Sequence, residues 1–476
     1  GRAIPIAPVT PQYGLAGADL SRLAHAVEVL TPGAVYVDDA TAFAAALEAH
    51  FLSGLTVIAG ANARAGDVTL QSLYAAAPAP PVARPDDIAK LLLTSGSTGK
   101  PKAVINLHSA LAATAAQVAA CFDDPEPPVV VNQAPWSHSL GANAILHMVL
   151  NRGGTHYIDA GQPVAGRFAE TVRNLSEIAP TYHNMVPAGW NLLADELERD
   201  EALARTFFSR VRLLQYGGAG LGQSTCNRIQ AVALARVGEA ISFGSGYGAT
   251  ETGPTASNVH WPNLKMGLMG LPVPGTWVKL VPTGEKLEFR VKGPQVSAGY
   301  YNAPEATAAA FDEEGYYRLG DAARLVDPAR PEEGLIFDGR LSENFKLSSG
   351  TFVNAGALRI AAVSAIGGAV SDAVVCGEGE AGVGLLLFRN EAFHKSAADV
   401  RALARAGLER FNAAARSGGG KIARALIVED QPDHHSGEIT DKGYINQTLA
   451  RQRRAADIAR LFAEPPDENV IVLEGT

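Results

Sequence analysis

The residues best suited to chemistry stand together between Leu91 and Val104, in the run LLLTSGSTGKPKAV. The apolar stretch Ile88 to Leu93 reads as a buried strand. It opens into a loop holding Thr94, Ser95, Ser97 and Thr98, the glycines Gly96 and Gly99, and the lysines Lys100 and Lys102. Glycine lets such a loop bend with its N–H groups turned inward, a shape that cradles anions. The hydroxyls add donors, and the lysines supply the charge a polyphosphate needs. A plain polar turn between strand and helix shares this composition, but so dense a set of hydroxyls, glycines and lysines favours phosphate binding. The loop is not the P-loop of nucleoside triphosphatases, which needs a glycine, four residues, then Gly-Lys-Ser/Thr. Here Thr94 stands at the first glycine position and Pro101 follows Gly99-Lys100.

The stretch resembles instead the phosphate-binding loop of the adenylate-forming superfamily, which includes acyl-CoA synthetases, luciferases and nonribosomal adenylation domains. It has that family's Ser/Thr-Gly-rich order followed by Pro-Lys, with Ala103 where a glycine is usual. Two further segments match in order along the chain. Phe243 to Gly253, FGSGYGATETG, carries the family's Tyr-Gly-x-Thr-Glu as Tyr247, Gly248, Thr250 and Glu251. Gly315 to Asp321, GYYRLGD, carries its aspartate as Asp321. The resemblance implies that Tyr247 presents its ring to adenine, Thr250 bonds the α-phosphate, Glu251 helps hold Mg²⁺, and Asp321 accepts both ribose hydroxyls. The residue types suit these roles. A carboxylate beside polyphosphate needs a hard cation between them, and its two oxygens can serve a pair of hydroxyls. The bland alternative for 243–253 is a loop with one exposed glutamate.

A strand from Arg212 to Tyr216 ends in Gly217-Gly218-Ala219-Gly220, and small residues there leave room for a flat ring, as open α/β sheets do. The resemblance sets this turn against adenine and the acyl group. It also implies an acyl pocket made by His138 of PWSHSLGAN (Pro135 to Asn143), by Tyr182, Asn184, Met185 and Val186 of TYHNMVPAG, and by Gly217 and Gly246. The TYHNMVPAG run reads as a strand end and a loop, and simple sheet packing explains Met185 and Val186 equally well. The run Leu287 to Thr307, LEFRVKGPQVSAGYYNAPEAT, also resembles the family and reads as structural rather than catalytic.

In relatives a Gly-Arg pair precedes a hinge. Gly339-Arg340 matches it, with Arg340 expected at the ribose and Ser342 at the pivot, where relatives carry Asp or Lys. The expected domains are therefore an AMP-binding part, 1–339, and a mobile C-terminal domain, 340–476. Near the end, HHSGEITDKGYINQ (His434 to Gln447) departs from the usual Ser-Gly-Lys-Ile. Alignment puts Glu438 at the lysine that stabilises the adenylation transition state, the wrong charge beside phosphate. Lys442 is the expected replacement. Both PWSHSLGAN and DKGYIN are similar to the feruloyl-CoA synthase branch.

These residues need elements to hold them. Leu20 to Leu30 and Ala40 to His50 have helical spacing, while Ala34 to Val37 and Leu55 to Ile58 read as strands, an alternation that predicts a parallel α/β sheet. Ala75 to Asp87 reads as a surface connection, and Ser109 as the cap of a helix running to Cys121. The fold expected is α/β, a large N-terminal part of mixed and parallel sheets with helices, followed by a small α+β domain. That domain should have strands at Asp372 to Cys376, Gly384 to Phe388 and Ala425 to Glu429, and a helix over Ala397 to Ala415. The opening GRAIPIAPVTPQY reads as the interior of a domain with a strand underway by Ile4, so a preceding segment is expected.

At 476 residues the chain exceeds one ordinary core. Its 47% apolar and 19% charged content is that of a globular protein, and a net charge of −9 argues against a general nucleic-acid binder. Three distant cysteines, Cys121, Cys226 and Cys376, form no metal spacing and suit a reducing, cytoplasmic setting as buried apolar residues. No apolar run reaches membrane-spanning length. The expected activity is an ATP-dependent acid:CoA ligase that uses ATP, Mg²⁺ and CoA, adenylates a hydroxycinnamate such as ferulate, and releases AMP and pyrophosphate. The alternatives are a ligase for another aryl or medium-chain acid, a silent nucleotide-binding relative, and an adenylation domain feeding a carrier protein. A homodimer is left open.

Overall fold

The computed structural model describes residues 4–77, 82–94, 101–122, 124–164, 166–343, 345–390, 393, 395–415, 420–432, 438–439 and 445–473. Ser95, Gly96, Ser97, Thr98, Gly99, Lys100 and Lys442 lie outside them, as does the side chain of Ser342.

The largest sheet has nine strands in the order Trp277–Thr283, Lys286–Lys292, Tyr317–Leu325, Leu335–Arg340, Leu268–Pro272, Ser257–Asn258, Ser242–Tyr247, Leu213–Tyr216 and Tyr182–Met185. The last three run parallel to one another and are mostly buried, as parallel strands covered on both faces must be. On one face the helices Pro187–Arg199, Glu201–Phe208 and Gln223–Val237 close a core of Trp190, Leu193, Leu197, Phe207, Leu214, Ile229 and Phe243. Asp200 caps the second helix through the N–H groups of Ala202 and Leu203. Pro187 occupies the first turn of its helix, a position where its missing N–H costs nothing. The TYHNMVPAG segment thus passes directly from strand to helix, not into the loop expected of it.

At the N-terminal end, Ala34–Asp39, Thr56–Ala61 and Val68–Thr69 form the expected parallel sheet. The opening strand is reduced to one bridge, between Ile6 and Lys90. The helix expected over 40–50 is only Ala44–Leu47 followed by a 3₁₀ turn, His50–Leu52. Asp39 takes the N–H of Thr41 and holds the intervening residues in a turn. The strands flanking the phosphate loop, Ile88–Thr94 and Lys102–Leu107, pair antiparallel with Thr94 opposite Lys102. The next helix is His108–Ala120, so Ser109 is inside it and caps nothing. The N–H groups of His108 and Ser109 find the carbonyls of Asp87 and Pro85 instead.

The C-terminal domain has its own four-stranded sheet, Val370–Cys376, Val383–Arg389, Ile422–Val428 and Val470–Val472. Helices Ala355–Ile366 and Ala397–Ala414 pack on one face through Leu358, Ile366, Val400 and Leu408. Helices Gln447–Arg453 and Ala455–Phe462 cover the other through Ala450 and Leu461. The three cysteines are buried and free, and no helix among the described residues is long and apolar enough to cross a membrane.

One buried charge stands out. Lys90, on the strand that enters the phosphate loop, is 8% exposed and donates to the carbonyl of Ala142 at 3.0 Å. Burial lowers its pKa from 10.5 to about 8. The folded state therefore gives up this proton near pH 8 and the unfolded chain near 10.5, so between those values the unfolded state binds more protons and stability rises with pH. Compared with Lys90→Met, the wild type should pay the full burial cost below pH 8 and gain stability through that window. Melting temperatures of the two proteins across pH 7–10.5 would check this; parallel curves would contradict it.

Candidate active site

The strand Ser242–Tyr247 delivers one cluster. The Tyr247 hydroxyl donates to Asp321 Oδ2 at 2.5 Å, and Arg340 Nε lies 3.6 Å from Asp321 Oδ1. Asp321 and Arg340 are cross-strand partners on neighbouring strands of the large sheet, and the Tyr247 side chain reaches Asp321 from a strand farther along the same sheet. Burial and the Asp321 charge push the Tyr247 phenol well above its usual pKa, which keeps it a donor. Its ring stands edge-on to Phe289 and tilted to Phe337. Gly248 follows because nothing larger fits: a Cβ there would sit 1.9 Å from the carbonyl oxygen of Pro254.

The next turn, Thr250–Thr252, buries Thr250 and Glu251. Tyr300 Oη donates to Glu251 Oε1 at 2.8 Å and lies 3.0 Å from Tyr317 Oη. Thr250 Oγ1 is 3.2 Å from Ser139 Oγ, which brings the His138 segment against this turn. His138 itself is half-buried at the start of a π-helical turn, Leu140–Ile145. Lys102 holds its ammonium 4.6 Å from the centre of the Tyr300 ring. No group of three His, Cys, Asp or Glu among the described residues forms a metal cage. A single carboxylate suits a Mg²⁺ held largely by substrate phosphates and water, and Glu251 is a buried carboxylate of the type that could hold one.

Beside both clusters Gly217, Gly218 and Gly246 form a glycine-lined slot with room for a side-chain methyl. A Cβ on Gly217, Gly218 or Gly246 would have no neighbour closer than 3.6 Å, and the nearest atoms come from Leu140, Val186, Asn258 and the Gly246 carbonyl. Gly220 differs, since a Cβ there would meet Ile360 Cδ1 at 2.4 Å; it is where the C-terminal helix Ala355–Ile366 approaches. Tyr182 and Asn184 point to the slot's face of the sheet but are engaged. Tyr182 Oη donates to Gln215 Oε1 at 2.6 Å, Asn184 Nδ2 donates to Tyr182 Oη at 3.0 Å, and Gln215 Nε2 donates to Asn258 Oδ1 at 3.1 Å. Asn184 Oδ1 is buried with no hydrogen-bond partner among the described residues. Met185 packs into the helix-side core on the opposite face. Gln215, Asn258, Ser139 and Tyr300 were missed in the sequence; only the period of two along 182–184 and 213–215 could have flagged Gln215.

At the chain's crossing into the C-terminal domain, Asn354 Nδ2 donates to the carbonyl and carboxylate of Asp338 at 3.0 and 2.8 Å, and Lys286 also bonds that carbonyl. Gly339 adopts φ +89° between them. Glu438, aligned with the family's lysine, is not a bare acid facing phosphate. It forms two bonds to Arg454, at 2.6 and 3.0 Å, with both residues buried, and the guanidinium lies 4.8 Å from the centre of the Phe388 ring. The alignment at that position marks a structural ion pair.

Residues 4–301 match the family model described as AMP-binding enzyme, and residues 346–465 match that of the AMP-binding enzyme C-terminal domain. The chain belongs to the AMP-binding enzyme family, within the adenylate-forming superfamily. It is 30% identical over 285 residues to the 4-coumarate–CoA ligase of Pinus taeda, covering 55% of this chain and 49% of the ligase. It therefore spans about half the length of that curated relative. Its fold is shared with the adenylation domain of a carboxylate reductase from Mycobacterium chelonae, at TM-score 0.75 and 21% identity over 96% of this chain and 76% of that one. ATP-bound MatB from Rhodopseudomonas palustris gives a TM-score of 0.71 at 21% identity, over 93% and 83% of the two chains.

Glu438→Ala should strip the buried Arg454 of its two-bond partner and leave it only the Asp430 carbonyl and Asp457 at 3.9 Å, at a cost of up to about 3–5 kcal/mol. Chemical denaturation would read it as a loss of C-terminal domain stability; a change under 1 kcal/mol would refute the buried pair.

Proposed function

We propose that the chain is an AMP-forming acid:thiol ligase that joins an aromatic carboxylic acid to CoA at the expense of ATP. The observation that carries this reading is the meeting of Tyr247, Asp321 and Arg340 on one side and Thr250, Glu251 and Ser139 on the other, next to a glycine-lined slot. In this reading Asp321 and Arg340 hold the ribose, Gly218, Ala219, Gly220, Tyr247 and Gly248 flank the adenine, and Thr250 bonds the α-phosphate. The loop 94–100 and Lys102 hold the outer phosphates. Glu251 would bind Mg²⁺, which supplies charge neutralisation on the polyphosphate. His138, Tyr182, Asn184, Val186, Gly217 and Gly246 bound the acyl side. The likeness to 4-coumarate–CoA ligase supports a hydroxycinnamate such as ferulate over a medium-chain acid.

The chemistry required is attack of one anion on another. An acid carboxylate and ATP repel, so the site must neutralise charge as it develops on the leaving pyrophosphate. Donors in the loop, Lys102 and Lys442 would do this while the carboxylate oxygen attacks the α-phosphorus and pyrophosphate departs. The acyl-adenylate formed would then meet CoA, whose sulfur attacks the acyl carbon and releases AMP. We place the domain division at 339/340. The C-terminal domain would turn about the Arg340–Ser342 region between the half-reactions, withdrawing Lys442, a hinge motion of a common kind. The Asp338–Asn354–Lys286 knot supports a pivot there. The Arg454 partner answers the electrostatic objection that Glu438 raised to the ligase reading.

ATP–pyrophosphate exchange with Mg²⁺ should be driven by ferulate or coumarate, less by benzoate, and little by octanoate. Lys442→Ala should slow exchange by roughly 10²-fold and leave thioester formation from preformed acyl-adenylate much less affected. No exchange with any acid would reject the ligase reading, and equal losses in both half-reactions would remove Lys442 from its role.

A further inference from the structure

The run 297–301 sits between the two halves of the candidate site, and its bonds go both ways. Toward Glu251, the Ser297 N–H donates to the Glu251 carbonyl at 2.8 Å and Tyr300 Oη donates to the Glu251 carboxylate at 2.8 Å. Toward the strand leaving the phosphate loop, Ile105 N donates to the Gly299 carbonyl at 3.0 Å, Tyr301 N to the Ala103 carbonyl at 2.8 Å, and Ser297 Oγ to the Ile105 carbonyl at 2.7 Å. The Tyr300 ring also lies beneath the Lys102 ammonium. Its orientation is forced from behind. Gly299 takes φ +123°, where a Cβ would lie 2.3 Å from Thr307 Cγ2, and Tyr300 N donates to Thr307 Oγ1 at 2.9 Å. Tyr317, from the strand that carries Asp321, meets the Tyr300 hydroxyl.

We infer that Tyr300 is a positioning residue: its hydroxyl fixes the Glu251 carboxylate for Mg²⁺ while its ring fixes Lys102, so that the metal-binding acid and the phosphate-loop strand are held in one register. The inference rests on the nucleotide site proposed above. A second-layer hydrogen bond of this kind orients a metal ligand, and its loss commonly lowers metal affinity tenfold or more. Tyr300→Phe removes the hydroxyl and keeps the ring, so the two duties separate. The metal leg fails and the Lys102 leg survives.

The test is equilibrium binding of a fluorescent N-methylanthraniloyl ATP as a function of Mg²⁺, without any acid. Tyr300→Phe should raise the Mg²⁺ concentration for half-maximal binding by roughly tenfold, with metal-free binding and melting temperature near wild type. In a Glu251→Gln background the same substitution should add nothing, because it acts through that carboxylate. Tyr317→Phe, which leaves Tyr300 in place, should move the Mg²⁺ dependence the same way by less. An unchanged Mg²⁺ dependence in Tyr300→Phe overturns the inference alone. So does an equal shift in the Glu251→Gln background, or an unfolded Tyr300→Phe accompanied by no shift in Tyr317→Phe. A wild type that binds no nucleotide with Mg²⁺ overturns the proposed function and this inference together.

Discussion

Two buried or half-buried carboxylates of the candidate site are each held by a tyrosine hydroxyl. Glu251 accepts from Tyr300 and Asp321 accepts from Tyr247. An unpartnered carboxylate in such surroundings would be desolvated and driven to protonate. The phenols orient both acids, and burial keeps the phenols protonated in turn. With a net charge of −9, the overall field repels phosphate, so a polyphosphate ligand requires local positive charge such as that of Lys102.

The rest of the fold can be read as support for those two contacts. The parallel strands bring Tyr247 to the carboxyl end of the large sheet, where open α/β folds place ligands. Antiparallel pairing sets Asp321 opposite Arg340. The helix-side core behind Trp190 and Phe243 makes the sheet rigid, while the glycines of the slot keep its front face bare. The C-terminal domain has two apolar cores of its own, so its packing is complete within itself.

Much of this was legible in the sequence, for identifiable reasons. The ordered segments around Thr94, Tyr247 and Asp321 are short and local, and the strand Ile88–Thr94 has a strong apolar run. Three of the four C-terminal strands and the helix ending near Ala414 were equally plain; Val470–Val472 was not expected. What escaped was non-local. Nothing near Glu438 in the chain shows that Arg454 will pair with it, and nothing near Tyr300 shows that its hydroxyl will reach Glu251. The 40–50 helix was overestimated because alanine-rich helical spacing ignores the turn that Asp39 makes. Ser109 had the chemistry of a cap but the carbonyls of Asp87 and Pro85 had already satisfied the first N–H groups.

The central claim is that one site holds an acyl group and an adenosine side by side. The most direct measurement is calorimetric binding of a feruloyl adenosine sulfamate, a hydrolysis-resistant mimic of the acyl-adenylate whose anionic acyl sulfamate stands in for the acyl phosphate. Binding at least 10²-fold tighter than AMP or ferulate alone is the result the account predicts, because one molecule then engages both the Asp321 cluster and the glycine slot. Affinity no better than that of AMP would contradict it, since the slot beside Gly217 and Gly246 would then contribute nothing.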